Sequence, residues 1–568
     1  MQNMAHQTEP LKTAGTFAAL TISTLLLLRS RTKKHDSNRQ RSLNLQHHKG
    51  KPLVIAIDVG TSSIRASCYV LHTMDAQSDT ESIEKADWRL VEQSMQQRAI
   101  DCIDHRGEAD IGSITLNVEE LLDRIVFFLR ASKLQGSIVG LGFSTFVMNL
   151  LGVDEEGRPV TPIYTYAGRD PSLAFWARKL RELIQKQNEL SAYQNRTGTV
   201  VAHPAYAPCE LYRLFQMNPT LLQSVNKWQS ISAYLISRWT GRSYTAISYS
   251  EASWSGLLDF RSRTWDESLL RLLSLSDRKL PPLADSSVSY TGLSCEYAKR
   301  WPELQHVPLF VGIGDGAAAN IGSKCVNKSR ICVTIGTSAA LRVLLPASVM
   351  ADKRVPEGMW CYLICDSHVL LGAALNDGAS LYQWIRDTFV LGEDDLQHLD
   401  QTESHNHGLT ILPFLRGERS PGWKEEATCT ITGITKWTKP SHILRVALES
   451  ICLRLKACYA ELEPFIHPDA MIVASGAALN ASGLWRQITA DVFGKQVIVQ
   501  TKPGEATSQG VAINIGVALG YHSYDDTACL YTDLIQHQPN VQAHIRYMAA
   551  QLEQAALYKS IYERVPSP

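Results

Sequence analysis

From Pro52 onward the chain alternates short, densely apolar runs with longer segments whose apolar residues recur every three to four positions. Runs of the first kind read as strands and those of the second as amphipathic helices. "LVIAID", "SIRASCYV" and "WRLVEQSMQQ" are three successive strand candidates; "TLNVEELLDRIVFFLRAS" has helical spacing, and "SIVGLGFS" reads as a buried strand. "SLAFWARKLRELIQKQN" is a further amphipathic helix. The pattern restarts after Pro308 with "LFVGIGDGAAANIG" and "RICVTIGTSAALRVLL". A helix in "HILRVALESICLRLKACYAEL", a strand in "AMIVASGA", a helix in "LWRQITADVF" and a strand in "QVIVQT" follow. Two successive halves that each mix strands and helices predict an α/β protein of two similar lobes. A Pro- and Ser-rich junction from Leu280 to Pro308 separates them. The expected division is a tail over 1–51, a first lobe over 52–305, a second lobe over 306–520 and a C-terminal extension over 521–568.

Composition narrows the function classes. At 568 residues the chain exceeds one ordinary domain, which agrees with two lobes. Lys plus Arg and Asp plus Glu each number 56, so there is no basic excess to bind nucleic acid non-specifically, and no nucleic-acid partner is expected. Twelve cysteines are scattered without a CxxC pair, which fits reduced thiols in a cytosol-like compartment rather than a disulfide frame or zinc site. The first fifty residues stand apart. Ala14 to Leu28 is apolar and is followed by the basic "RSRTKKHDSNRQR". The run is shorter than the roughly 20 residues a membrane span requires, and most charges follow it, unlike a secretory signal. A marginal membrane anchor, an organelle-targeting presequence and a dispensable tail all remain open. A cytoplasmic location of the main body is expected, since the basic flank would hold it there if the run inserts.

Candidate chemistry lies in two matching turns. "VIAIDVGTSSIRASCYV" places Asp58, Gly60, Thr61, Ser62 and Ser63 between two strands, and "RICVTIGTSAALRVLL" repeats the turn as Gly336, Thr337 and Ser338. Such a turn presents backbone N–H groups and hydroxyls to a phosphate, and glycine lets the backbone approach. Asp58 can hold a Mg²⁺ ion that bridges phosphates. Taken alone, the first turn is equally an ordinary hairpin with polar residues. Its repetition favours a nucleoside triphosphate gripped from two sides. Ile335 stands near the place of Asp58 in the second copy, so one acidic residue is expected to serve the metal. Asp315 lies between Gly314 and Gly316. It suits either a base that accepts the proton of an attacking hydroxyl or a helix N-cap. Gly476, Ala477 and Ala478 end a strand with small residues, where adenine or ribose could pack, or where helix and strand simply pack tightly. "GAALNDGAS" and "FLRGERSPGW" are weaker, loop-like segments.

In this order, "IDVGTSSIRA", "GIGDGAAANIG", "VTIGTSAALR", "GAALNDG", "RGERSPGW", "HILRVALESICLRL" and "SGAALNASGLWRQITADVFGKQVIV" resemble the FGGY carbohydrate kinases. These belong to the actin, hexokinase and Hsp70 superfamily. The resemblance spans roughly residues 52 to 520, and "TGTVVAHPAYAPCELYRL" with "SYSEASWSGLLDFRSRTWD" is similar to the gluconokinase-like branch. It implies two ribonuclease-H-like lobes with ATP in the cleft between them, and a phosphotransferase acting on a sugar, polyol or sugar acid. By motif match Asp315 is implied as catalytic base and substrate contact, and Asp58 as the acidic residue by the metal. Gly60, Thr61 and Ser62, with Gly336, Thr337 and Ser338, are implied as phosphate loops, and Gly476, Ala477 and Asn480 as the adenosine segment. Tyr166, Arg169, Asp170 and His203 fall on the substrate segment. Two departures stand out: Met148 occupies the place of a frequent histidine, and Gly168 that of a sugar-binding carboxylate. Gluconate is the first-choice substrate, with Arg169 or another cation expected to pair with its carboxylate. Ribulose, xylulose and sedoheptulose follow. An actin- or Hsp70-like ATPase, a weak sensor and a homodimer remain open.

Overall fold

The computed structural model describes residues 47–74, 85–167, 171–389, 399, 404–500, 505–527 and 534–563. The tail's apolar run, Arg169 and Asp170 fall outside these residues. No helix among the described residues is long and apolar enough to cross a membrane.

Strand β1 (Leu53–Val59) is buried along its whole length because its sheet is covered on both faces. β2 (Ser63–Met74) and then β3 (Lys85–Leu90) continue the sheet antiparallel, while β4 (Ile138–Thr145) runs parallel to β1 on its other side. Side-chain alternation divides β1 between two cores. Leu53, Ile55, Ile57 and Val59 face one, and Val54 and Ala56 the other. Helix α1 (Ile111–Ser132) closes the first core with Ile114, Val118, Leu121, Leu122, Ile125 and Leu129 at helical spacing. Each such buried side chain is worth about 1.5–3 kcal/mol. Its start is fixed locally, since the Asp110 carboxylate accepts the N–H groups of Gly112 and Ser113 at 2.9 and 3.0 Å, a helix N-cap.

The segment expected as one strand, "WRLVEQSMQQ", is broken. After β3 the chain makes a short turn at Glu92–Ser94 and re-enters the sheet at Gln96–Ala99. The break follows from Ser94, which is buried and accepts the N–H of Cys68 at 2.8 Å, pulling the backbone inward between two separate pairings with β2.

Past the short helix α2 (Tyr249–Ser255), strands β5 (Leu309–Phe310) and β6 (Ile313–Gly314) fill the free edge of β4 in parallel, and helix α3 (Asp315–Gly322) follows. The residues from 309 to 314, expected to open the second lobe, therefore complete the first sheet.

The second sheet consists of β7 (Arg330–Ile335), β8 (Ala339–Pro346), β9 (Trp360–Cys365), β10 (His368–Leu375), β11 (Met471–Ser475), β12 (Val497–Gln500) and β13 (Leu534–His537), in the order β9-β10-β8-β7-β11-β12-β13. Its centre repeats the first: a hairpin, β7 with β8, whose first strand runs parallel to a later one, β11. Helices α4 (Pro440–Leu462) and α5 (Gly483–Phe493) pack in its core. Helix α6 (Ala506–Ala518), expected in the second lobe, instead covers the first sheet. Val511, Ala512 and Ile515 share the core of Val54 and Ala56. The extension beyond 520 is integral as well. β13 pairs with β12, and helix α7 (Val541–Tyr562) buries Ala543, Tyr547 and Ala550 in the second core.

Edge strand β9 ties the lobes together on one side of the cleft. Cys361 N–H donates to Gly198 O and Leu363 N–H to Ser253 Oγ, both at 2.9 Å. The hydroxyls of Tyr206 and Tyr362 meet at 2.7 Å.

Candidate active site

The carboxyl ends of parallel strands are where α/β sheets place ligands, and here three of them converge. In the register of the first sheet, Asp58 of β1 lies beside Ser144 of β4, which lies beside Ile313 of β6. Asp315 follows two residues later as the first residue of α3. The capping position is Gly314, with no side-chain cap bond, so capping does not account for Asp315; its carboxylate accepts the adjacent Gly316 N–H at 2.6 Å. Gly314 is needed for close packing. A Cβ there would stand 2.6 Å from Trp254 Nε1 and 2.9 Å from Val147 Cγ1. Gly314→Ala is expected to cost about 1–3 kcal/mol of stability through overpacking and to lower kcat by displacing Asp315. A thermal melt and a rate measurement check both, and an unchanged Tm would contradict the packing argument.

Asp58 is 3% exposed and accepts a bond from Arg65 at 3.0 Å. Burial nevertheless holds its carboxyl above the usual range, with Arg65 opposing the shift. Asp315 is pushed up to about 7, first by burial and next by the negative charge of Asp58, with Arg342 of β8 opposing. Two carboxylates of the first lobe thus share an electrostatic field into which the second lobe sends one guanidinium. The sign follows from the raised value. Between about pH 4 and 7 the folded chain holds a proton that the unfolded chain has released, so this group's contribution to stability falls as pH rises through that window. A base must be ionised, so activity that uses Asp315 should fall below its pKa. We expect the Asp315 carboxyl of the metal-free protein to titrate near 7 in a ¹³C NMR experiment, and positive charge brought beside Asp58 to lower that value. Titration near 4 would contradict the coupling.

The first turn holds Gly60, Thr61 and Ser62, with Gly60 N–H donating to Ser63 O at 3.0 Å. Ser63 itself begins β2, and its side chain is buried. The second turn closes one residue sooner, from Gly336 N–H to Ser338 O at 2.9 Å. A Cβ on Gly336 would meet nothing within 4 Å, and Thr337 and Ser338 are exposed. The Gly378 and Ala379 N–H groups donate to Thr337 O and Gly336 O at 2.9 and 2.7 Å, so the "GAALNDGAS" segment braces this turn. The residue in the place of Asp58 is Thr334, not Ile335: Thr334 pairs with Ser475 of β11 as Asp58 pairs with Ser144. The hydroxyls of Thr334 and Ser475 meet at 2.7 Å, and Arg342 Nη1 donates to Thr334 at 3.1 Å.

Gly476, next to Ser475, has φ +88°, and a Cβ there would lie 2.5 Å from Ile335 O, a position that only glycine fills easily. Ala477 and Asn480 are exposed on the short helix that follows. The second Gly-Thr-Ser turn and the 476–480 segment therefore form one wall.

On the other wall Tyr166 bonds the Thr61 side chain and feels the charge of Asp315 before that of Arg419. Burial raises its pKa first of all. His203 packs edge-on against Trp423 with ring centroids 4.9 Å apart. Its Nδ1 accepts the Ala205 N–H at 3.2 Å. Burial, then Arg419 and Arg181, lower its pKa to about 3, so it is neutral at physiological pH. A cavity lined by Met148, Thr165, Ala205, Tyr206 and Glu210, among others, lies alongside. Met148 takes a left-handed backbone, φ 61°. Tyr166, Thr61 and Asp315 are brought together; the pairing of Arg65 and the reach of Arg342 and Arg419 carried no sequence signal of their own.

Another cluster, His405, His407 and Glu449, has ligand atoms within 4.8 Å of one another. Hydrogen bonds account for it. His407 Nδ1 accepts the Leu409 N–H at 3.1 Å, leaving Nε2 to donate to Glu449 at 2.9 Å. Glu449 also accepts from Arg445 and from Tyr547, each at 2.7 Å. The described cysteines are all free thiols.

The FGGY carbohydrate kinase N-terminal domain model matches residues 53–322 and the C-terminal domain model residues 331–519. The first match ends with α3, in agreement with the sheet pairing. The chain is 26% identical to a gluconokinase of Bacillus subtilis (strain 168) over 449 residues, covering 76% of this chain and 85% of the relative. It is 25% identical to a glycerol kinase of Thermococcus kodakarensis over 428 residues, covering 72% and 81%. Crystal structures of gluconate kinase and of ligand-bound xylulose kinase from Lactobacillus acidophilus each share the fold at TM-score 0.76 and 21% identity, covering 90% of this chain and 98% of theirs. With the duplicated sheets, the paired turns and both domain matches in hand, the chain belongs to the FGGY family of ATP-dependent carbohydrate kinases.

Proposed function

We propose that this kinase transfers the γ-phosphate of ATP to a hydroxyl of gluconate, with ribulose, xylulose and sedoheptulose as the ranked alternatives. Asp315 carries the reading. A carboxylate pushed up to about 7 by burial and the charge of Asp58, at the end of three converging strands and with Tyr166 in its own field, suits general-base work near neutral pH. The choice of gluconate is supported by the gluconokinase relatives, at 26% and 27% identity.

In this scheme Asp315 accepts the proton of the attacking hydroxyl as its oxygen bonds to the γ-phosphorus and the bond to the leaving ADP oxygen breaks. Gly60, Thr61 and Ser62 face Gly336, Thr337 and Ser338 across the phosphates, and Gly476, Ala477 and Asn480 flank the adenosine. Tyr166 and His203 contact the sugar, with Arg169 and Asp170 assigned to the same pocket from the sequence. The donor set fits Mg²⁺: Asp58 offers a buried carboxylate oxygen at the carboxyl end of β1, the hard donor that such a cation takes. When bound, that ion would neutralise phosphate charge; Asp58 would hold it, directly or through water.

The test is substrate-dependent ADP release with gluconate and the three ketoses, against a no-sugar blank. Turnover greatest with gluconate supports the reading. Turnover with a ketose alone transfers the assignment to that ketose, and sugar-independent ATP hydrolysis sinks it.

A further inference from the structure

Arg419 sits in the "RGERSPGW" loop that crosses from the second lobe to His203 of the first. Everything around it is anchored. Glu418 is buried and accepts bonds from Arg454 and, at 2.7 Å, from the Tyr558 hydroxyl. Ser420 N–H donates to Ala374 O at 3.0 Å, and its hydroxyl accepts the Ala374 N–H at 3.3 Å. Trp423 Nε1 donates to Gly358 O at 2.9 Å. The Arg419 guanidinium is the exception. Its Nε is buried without a hydrogen-bond partner, and its contact is the face of Trp423, 5.6 Å to the ring centroid. Among the described residues it has no carboxylate partner. Its positive charge is felt at His203, Tyr206 and Tyr166, the side chains of the sugar wall.

A half-buried guanidinium held in place and left without an anion is costly. Its planar fork matches a carboxylate with two parallel bonds. We propose that Arg419 is the specificity-determining residue for an anionic acceptor, receiving the carboxylate of a sugar acid while the far end of the chain presents its hydroxyl to Asp315. This inference rests on the gluconate reading above and assigns to Arg419 the role that the family resemblance implies for Arg169 or another cation. The same guanidinium could instead receive a phosphate oxygen, and the two anions separate by experiment.

The test compares gluconate with glucitol, which has the same carbon chain but a hydroxymethyl group in place of the carboxylate. KM, or the inhibition constant where glucitol is not turned over, is measured for wild type, Arg419→Gln and Arg419→Lys, with ATP KM alongside. A charge-assisted bond lost from such a site corresponds to about a 10- to 100-fold effect. Arg419→Gln should raise the gluconate KM by that factor and leave glucitol and ATP within about twofold. Arg419→Lys, which keeps charge but not the fork, should fall between and serves if the Gln variant does not fold. Equal losses for gluconate and glucitol, or a rise in ATP KM, would assign Arg419 to the phosphates and overturn the inference. So would an unchanged gluconate KM. Wild-type enzyme that ignores gluconate but phosphorylates a ketose would show that the acid reading itself had failed, before any variant is compared.

Discussion

Asp315→Asn is expected to lower kcat by about 10²–10⁴-fold, the usual contribution of general-base catalysis, while leaving the KM for ATP nearly unchanged. The substitution preserves size and the bond to Gly316 N–H, which a side-chain amide oxygen also accepts. It removes the ability to take a proton. Because Gly314 rather than Asp315 occupies the capping position of α3, a loss of rate cannot be ascribed to fraying of the helix, and circular dichroism should show the same fold. Steady-state kinetics over a range of pH add a second readout: the acidic fall-off set by Asp315 should vanish in the variant. Near-normal turnover would mean that the base lies elsewhere in the cleft.

Asp58→Asn should act differently. The amide can still accept from Arg65, but the charge proposed to hold Mg²⁺ is gone. Loss of a group that supports a metal typically costs 10–100-fold in affinity or activity, so the Mg²⁺ concentration for half-maximal rate should rise by about that factor. A further consequence separates this variant from a general structural defect. The Asp58 charge is one of the causes that raise Asp315, so in the metal-free Asp58→Asn protein the Asp315 carboxyl should titrate below its wild-type value of about 7. An unchanged Mg²⁺ dependence would place the metal ligand on another residue.

The repeated Gly-Thr-Ser turn was legible in the sequence because a tight turn between strands leaves a local signature of glycine and hydroxyl residues. The structure adds what local pattern cannot carry. The lobe assignment of residues 309–322 and of α6 depends on which sheet edge and face remain open, a pairing across more than 150 residues for β6 with β4 and across more than 400 for α6 with β1. The equivalence of Thr334 with Asp58 becomes visible only through the registers of β7 with β11 and β1 with β4. Arg65 and Arg342 are ordinary strand residues in sequence, and they matter because a hairpin register and the lobe arrangement bring them to Asp58 and Asp315. Arg419 lay in a segment that reads as a loop; its setting comes from anchors on Ala374, Gly358 and Arg454, none of them near it in the chain.

In the proposed reaction the γ-phosphate passes to a sugar hydroxyl with Asp315 as the base. Phosphorus NMR of the 568-residue chain with ATP, Mg²⁺ and gluconate decides it. The expected result is a growing phosphomonoester resonance matched one to one by ADP, absent without the sugar and slowed by about 10²–10⁴-fold in Asp315→Asn. Release of inorganic phosphate without a sugar ester, or an ester formed equally fast by the Asn variant, would contradict it.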